Sequence, residues 1–250
     1  MIYITGDIHG NPNRFSTNIF PEQKEMTKKD YVIILGDFGL IWDQEESKQE
    51  RYWLDWLEKK PFTTLFIDGN HENFDRLYSY PVEQWHGGKV HKIRPSVIHL
   101  MRGQVFLIEG KKFFTFGGAA SHDIKDGILD PDDSEFKAKK RRLDKNLFSL
   151  YRINHVSWWK EELPAETEME EGLDNLRRND FCVDFVLTHC PPTSILKQMG
   201  SYNSDHLTNY LMTVKGMTDY KQWLFGHMHQ NKNFFWDHAI CIYEQIIRIM

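Results

Sequence analysis

Met1-Ile2-Tyr3-Ile4-Thr5-Gly6-Asp7-Ile8-His9-Gly10 opens the chain and decides how the rest of it is read. Met1 to Ile4 is a short apolar, β-prone run with the character of a buried first strand. The strand hands Asp7 and His9 to a loop flanked by Gly6 and Gly10. Residues i and i+2 of a strand share a face, so a turn starting here can aim both side chains at one point. One offers a carboxylate oxygen and the other an imidazole nitrogen, and both are metal-ligand types. Asp-x-His alone is also an ordinary turn; its weight depends on how the later strands end.

They end the same way. Tyr31 to Leu35 is a second continuous apolar run, typical of a strand buried on both faces, and it stops at Gly36-Asp37-Phe38-Gly39. A helix is expected from about Glu45 to Lys60, with Trp53, Trp56 and Leu57 at core-facing spacing and Pro61 after it. Phe62 to Ile67 then runs into Asp68-Gly69-Asn70-His71-Glu72. Phe181 to Leu187 ends in Thr188-His189, and Gln222 to Phe225 ends in Gly226-His227-Met228-His229. Strand, loop, helix and strand at this spacing indicate α/β units with a mostly parallel core. Ligands of such folds bind at the carboxyl ends of the strands. If the strands lie side by side, Asp7, His9, Asp37, Asn70, His71, His189, His227 and His229 converge on one edge. Without a cation, such a cluster is costly to desolvate and its aspartates repel one another. A pair of divalent or trivalent metal ions removes that objection. Mixed oxygen and nitrogen donors without thiolate suit manganese, iron or zinc better than magnesium or calcium.

Between these runs the chain is less uniform. Lys89–Ile93, Val97–Arg102, Gln104–Ile108 and Lys112–Phe116 are strand-like, with Gly103 and Gly110 between them, and read as hairpins continuing or facing the first sheet. The stretch from Ala119 to Leu163 is the least legible. Its basic run, Lys137 to Arg142, follows Asp130, Asp132, Asp133 and Glu135 and reads as a solvated helical face. Another helix is expected from about Ala165 to Arg178, acidic early and basic late as the helix dipole favours. A further helix, capped by Ser204 or Asp205, runs to about Lys215 with Leu207, Tyr210, Leu211 and Val214 facing inward. Ala239 to Met250 supplies closing strands.

Composition bounds the alternatives. The 250 residues are 40% hydrophobic and 27% charged, with net charge -5. That suits one domain over residues 1–250, with the less legible insertion around 119–180. Net acidity argues against non-specific nucleic-acid binding, so nucleic acid is an unlikely partner. There is no apolar run long enough for a membrane span. The early position of Asp7 leaves no room for a signal peptide. Cys182, Cys190 and Cys241 lack Cys-x-x-Cys spacing and read as reduced thiols, which suggests a cytoplasmic protein.

The set Asp-x-His, Gly-Asp, Gly-Asn-His, a later His and Gly-His-x-His, complete and in order from Asp7 to His229, resembles the calcineurin-like metallophosphoesterases. The resemblance implies an α/β fold of two facing mixed β-sheets flanked by helices, a four-layer αββα sandwich. It also implies a dinuclear metal centre. Asp7, His9 and His229 would hold one ion, Asn70, His189 and His227 the other, and Asp37 would bridge them. His71 would not bind metal; it would protonate the leaving oxygen or stabilise the transferring phosphoryl group. Glu72 and Asp68 are expected to orient it. The implied activity is hydrolysis of a small or nucleotide-like phosphoric ester, monoester or diester.

Departures from the serine/threonine protein phosphatase branch narrow this. That branch carries arginine after the second aspartate and before Gly-Asn-His-Glu, where this chain has Phe38 and Asp68. A smaller substrate is therefore expected, gripped mainly by metals, with Arg76, Arg94 or Arg152 as possible helpers. The alternatives are a nuclease of the same superfamily and a non-catalytic metal-binding scaffold. Ser121-His122-Asp123 is either an ordinary turn or an approach to the site, and the Trp158-Trp159 pair either packing or a substrate wall.

Overall fold

The computed structural model describes residues 1–200 and 202–250. Six strands come first: β1 (Ile2–Thr5), β2 (Tyr31–Leu35), β3 (Thr63–Ile67), β4 (Val82–Trp85), β5 (Gly88–Arg94) and β6 (Val97–Leu100). Next are β7 (Gln104–Ile108), β8 (Lys111–Phe116) and a two-residue pair, β9 (Ile128–Leu129) and β10 (Arg152–Ile153). The last third supplies β11 (Cys182–Thr188), β12 (Asp219–Phe225), β13 (Lys232–Phe234), β14 (Ala239–Cys241) and β15 (Ile247–Arg248). The helices are α1 (Lys48–Glu58), α2 (Phe74–Leu77), α3 (Phe136–Leu143), α4 (Glu166–Arg177), α5 (Thr193–Met199) and α6 (His206–Met217).

The strands form two mixed sheets. One runs β15-β1-β2-β3-β6-β5-β4 and the other β13-β14-β12-β11-β8-β7. Their centres are parallel: β1, β2, β3 and β6 in the first, β8, β11, β12 and β14 in the second. The expected hairpins divide between the two, β5 pairing with β6 in the first sheet and β7 with β8 in the second. The sequence reading contained no β4, α2 or α5. All three are short, and β4 is largely exposed, so they lack a periodic apolar signature.

Alternation along the strands shows how the layers stack. Ile2, Ile4, Ile33, Leu35, Leu65 and Ile67 share a core with Phe113, Phe185, Leu187 and Leu224 of the other sheet. The intervening residues Tyr3, Val32, Ile34 and Phe66 pack instead with Leu54 and Leu57 of α1. Phe114, Phe116, Val186, Trp223 and Phe225 pack with α4 and α6 through Met169, Leu176, Leu207 and Leu211. Both faces of both sheets are thus apolar, and three cores separate four layers. This is the α/β sandwich of two facing sheets flanked by helices that the resemblance implied. Helix α3 buries no residue, in keeping with a solvated basic face. No helix among the described residues is long and apolar enough to cross a membrane.

Helix starts are fixed locally. The Ser47 hydroxyl accepts from the Glu50 N–H at 3.2 Å while the Glu50 carboxylate accepts from the Ser47 N–H at 2.9 Å, a capping box that opens α1. At α6 the N-cap is Asp205, whose carboxylate accepts from the Thr208 N–H at 2.7 Å.

A buried ion pair ties the sheet ends to the 119–180 segment. The carboxylate of Asp68, just past β3, accepts from Arg102 Nε at 2.8 Å and lies 3.1 Å from His99 Nε2. Arg102 also donates to the Glu161 carbonyl at 2.8 Å. Burial opposes the charge on Asp68, yet Arg102 and His99 hold its pKa well below the usual carboxylate range. Arg102→Met leaves that carboxylate buried and unpaired, and should lower unfolding free energy in denaturant titration by about 3–5 kcal/mol. Adding Asp68→Asn should recover part of the loss. A single-variant loss below about 1 kcal/mol would show that the pair does not hold this corner.

Candidate metal centre

The parallel registers set where the strands stop. Leu35 pairs with Ile67 in the first sheet, and Thr188 pairs with both Phe116 and Phe225 in the second. The residues that follow meet where the two carboxyl edges face each other. Asp7, Asp37 and Asn70 come from the first sheet; His189, His227 and His229 come from the second. Glycines make the approach possible. A Cβ on Gly69 would lie 2.1 Å from Asp37 Oδ1, and one on Gly226 would lie 2.3 Å from Asp7 Oδ1.

The backbone is strained at the same place. His9, Asp37, His227 and His229 all have positive φ, at 43°, 44°, 62° and 48°. Left-handed backbone at non-glycine residues costs of order 1–3 kcal/mol each and persists where the surroundings enforce it. Arg14 enforces the first loop by donating to the carbonyl of Asp7 at 2.8 Å, the carbonyl of Tyr243 at 2.7 Å and the hydroxyl of Thr5 at 2.8 Å.

The ligand atoms form two groups that share one carboxylate. Asp7, His9, Asp37 and His229 place one donor atom each within 4.8 Å of one another, and so do Asp37, His189 and His227. His9 Nε2 faces His229 Nε2 at 3.0 Å, and His229 Nε2 stands 3.1 Å from Asp7 Oδ2. Asp37 reaches both groups, with Oδ2 3.7 Å from His9 Nε2 and Oδ1 3.3 Å from His189 Nε2.

Hydrogen bonds fix these groups and leave the inward atoms without partners. His189 Nδ1 engages the Leu35 carbonyl at 2.7 Å, which presents Nε2 inward. Asn70 donates its amide to Ser121 Oγ at 3.3 Å, leaving Oδ1 inward, and Ser121 is held by Glu162 at 2.6 Å. Asp7 Oδ2, Asn70 Oδ1 and His189 Nε2 are buried without a hydrogen-bond partner. Unsatisfied buried polar atoms are costly. Orphaned lone pairs on Asp7 and His189, one in each donor group, are what a cation-binding site requires, so the residues present fit metal ions.

Charges bear this out. Desolvation works against Asp37, but His189, then His71 and His9, drive its pKa far down. Burial likewise opposes charge on His189, yet Asp37 and Asp7 carry its pKa up to about 9. His227 goes the other way, pushed by burial and by charge on His189 down to about 3. In the metal-free chain a proton on His189 therefore stands where a cation would stand, and it must leave for the ring nitrogen to bind metal.

His71 is next to these groups but outside them. Its N–H donates to Asp37 Oδ1 at 2.9 Å. Its ring stacks on Trp42, with centroids 5.8 Å apart, and meets His9 edge-on at 5.0 Å. The expectation that Glu72 and Asp68 orient this ring is not met. Glu72 accepts instead from the N–H groups of Phe38 and Gly39 at 2.7 and 3.2 Å, and Asp68 is committed to Arg102 and His99. Nor does a carboxylate carry the His71 pKa upward. Burial lowers it, and Asp37 opposes only in part.

The candidate arginines are also committed elsewhere. Arg76 pairs with Glu50, Arg94 with Glu46 and Asp55, and Arg152 with Asp123. Ser121 and His122 do approach the site. Trp159 is buried and meets Trp42 edge-on at 5.6 Å, its indole N–H donating to Asp75 at 2.6 Å. The sequence reading missed Trp42, which lies in a loop with no periodic signal, and Arg14, whose clamp is visible only in three dimensions.

The family model for calcineurin-like phosphoesterases matches residues 1–231. The chain belongs to that family. It is 29% identical over 140 residues to lariat debranching enzyme A of Xenopus laevis, covering 50% of this chain and 25% of that protein. With the lariat debranching enzyme of Danio rerio it shares 24% identity over 208 residues, 78% of this chain and 31% of the relative. The chain thus spans less than a third of the length of these curated relatives. A phosphopantetheinyl hydrolase from Mycobacterium tuberculosis superposes with a TM-score of 0.46 at 12% identity, covering 97% of this chain and 87% of that one.

Because His189 must lose a proton to bind metal, apparent affinity should rise with pH up to about 9. A slope of about one proton from this residue is expected below that value. Calorimetric titration of the metal-free protein with manganese in buffers of different ionisation enthalpy reads the proton count directly. Affinity independent of pH between 7 and 9, with no proton released, would show that His189 is already neutral in the metal-free protein.

Proposed function

We propose that this chain hydrolyses a small phosphoric ester with two metal ions held in one phosphoesterase domain. The carrying observation is Asp37, one carboxylate shared by two groups of ligand atoms contributed by facing sheets. Asp7, His9 and His229 would hold one ion, Asn70, His189 and His227 the other, with Asp37 common to both. Such ions, when bound, neutralise a phosphoryl group and acidify a water at neutral pH. Manganese, iron or zinc suits these donors.

The chain's own residues supply the rest. The neutral amide of Asn70, fixed by Ser121, adds an oxygen ligand without adding negative charge before an anionic substrate. His71 is the proton donor to the leaving oxygen. Trp42 and His9 hold its ring at the mouth of the centre, and its N–H is tied to Asp37. The lariat debranching relatives keep a nucleic-acid substrate as the second reading, although net charge -5 disfavours a long polyanion.

His71→Ala should keep both metals while slowing a poor-leaving-group ester by ~10²-fold or more. An activated ester, whose leaving group needs no proton, should slow much less. The wild-type rate on the poor substrate should fall as pH rises through the His71 pKa. That limb should begin below the ordinary histidine value, because burial lowers this pKa, and it should vanish in the variant. Metal analysis beside rates on both esters decides the matter: a lost metal, or equal slowing of both, would overturn the assignment.

A further inference from the structure

Two cavities open from the candidate centre, one of about 330 Å³ and one of about 570 Å³. Their walls have only His9 and His71 in common. The smaller is walled by the segment after Asp37, with Leu40, Trp42 and Asp43, and by Ser47 and Gln49 at the head of α1. The larger is walled by Ala120 and His122 from the start of the 119–180 segment, by Leu196 of α5, by Tyr202, and by Met228. The paired rings of His9 and His71 therefore stand at a junction with space on two sides.

A phosphorus atom processed at that junction has one or two ester arms. A monoester has one arm and would leave one cavity to water. A diester can send one arm into each. The walls also say what the arms are. No lysine or arginine lines either cavity among the described residues, whereas Asp43 and Glu50 line the smaller and Asp205 the larger. Glu50 is neutralised by Arg76, and the Asp205 carboxylate is used as the α6 cap. The Asp43 side chain is exposed and available to accept from hydroxyl or ammonium donors. A second phosphate in either cavity would meet carboxylates and no cation, which opposes it.

Resting on the phosphoesterase reading above, we propose that the substrate is a phosphodiester whose single phosphate joins two uncharged or cationic groups. The arm in the smaller cavity carries hydrogen-bond donors toward Asp43. The same walls oppose polynucleotides and polyphosphates.

The test compares substrates with one leaving group, p-nitrophenolate, on manganese-loaded protein. These are p-nitrophenyl phosphate, bis(p-nitrophenyl) phosphate, p-nitrophenyl phosphorylcholine and a thymidine 5′-p-nitrophenyl phosphate, run beside a single-stranded oligonucleotide. The diesters should exceed the monoester in kcat/KM by about tenfold or more, with the oligonucleotide slowest. Gln49→Trp, at an exposed position of α1 on the wall of the smaller cavity, should lower the diester-to-monoester ratio about tenfold. A monoester preference, a preference for the oligonucleotide, or a ratio unmoved by Gln49→Trp would overturn the proposal and leave the phosphoesterase reading standing. Hydrolysis of none of the substrates would overturn both.

Discussion

Two carboxylates, Asp7 and Asp37, are buried at the line where two β-sheets face each other, at 0% and 2% exposure. Everything near them follows from the need to compensate that charge. Removing an ionised carboxylate from water without a partner is prohibitive. The chain meets the demand with backbone N–H groups, Asp7 Oδ1 taking the one from His227 at 3.0 Å and Asp37 Oδ1 the one from His71. Four histidine rings are brought close as well, and atoms are still left over. The remaining inward oxygens and nitrogens leave a place for positive charge that the nearby arginines do not fill, since Arg14 and Arg102 are occupied with loop carbonyls and Asp68.

Much of this was legible in the sequence because strand ends carry local chemistry. Each of the five relevant strands is a largely apolar run that stops abruptly at Gly-Asp, Gly-Asn-His, Thr-His or Gly-His, so position and ligand type appear together. These five strands were read to within three residues for the same reason. The second set of contacts was not legible. Arg14 is one basic residue in a polar stretch, and nothing local says that it ties the end of β1 to the loop at Tyr243. Glu72 was adjacent to His71 in sequence and read as its partner. In the fold, successive residues of that turn diverge, and the Glu72 carboxylate turns to the N–H groups after Asp37.

The 119–180 segment carries none of the ligand motifs, yet it supports the centre from two directions. Through Ser121 and Glu162 it orients the Asn70 amide. Through Trp159 it backs Trp42, which in turn backs His71. Both chains of contact begin at residues with ordinary packing roles, which is why composition alone left this stretch opaque. Its outer helix, α3, is solvated and takes no part.

The division of the candidate ligands between the two sheets has a consequence for assembly. Asp7, His9, Asp37 and Asn70 belong to one sheet and His189, His227 and His229 to the other, so neither sheet alone presents a full set. The centre comes into existence only when the layers dock. An ion bound there would act as a rivet across the seam, resisting the sliding of one sheet past the other more than the loss of any single strand. The seam is then where a metal-stripped molecule should first breathe, and the tightness of the ion becomes a gauge of how well the two halves are seated.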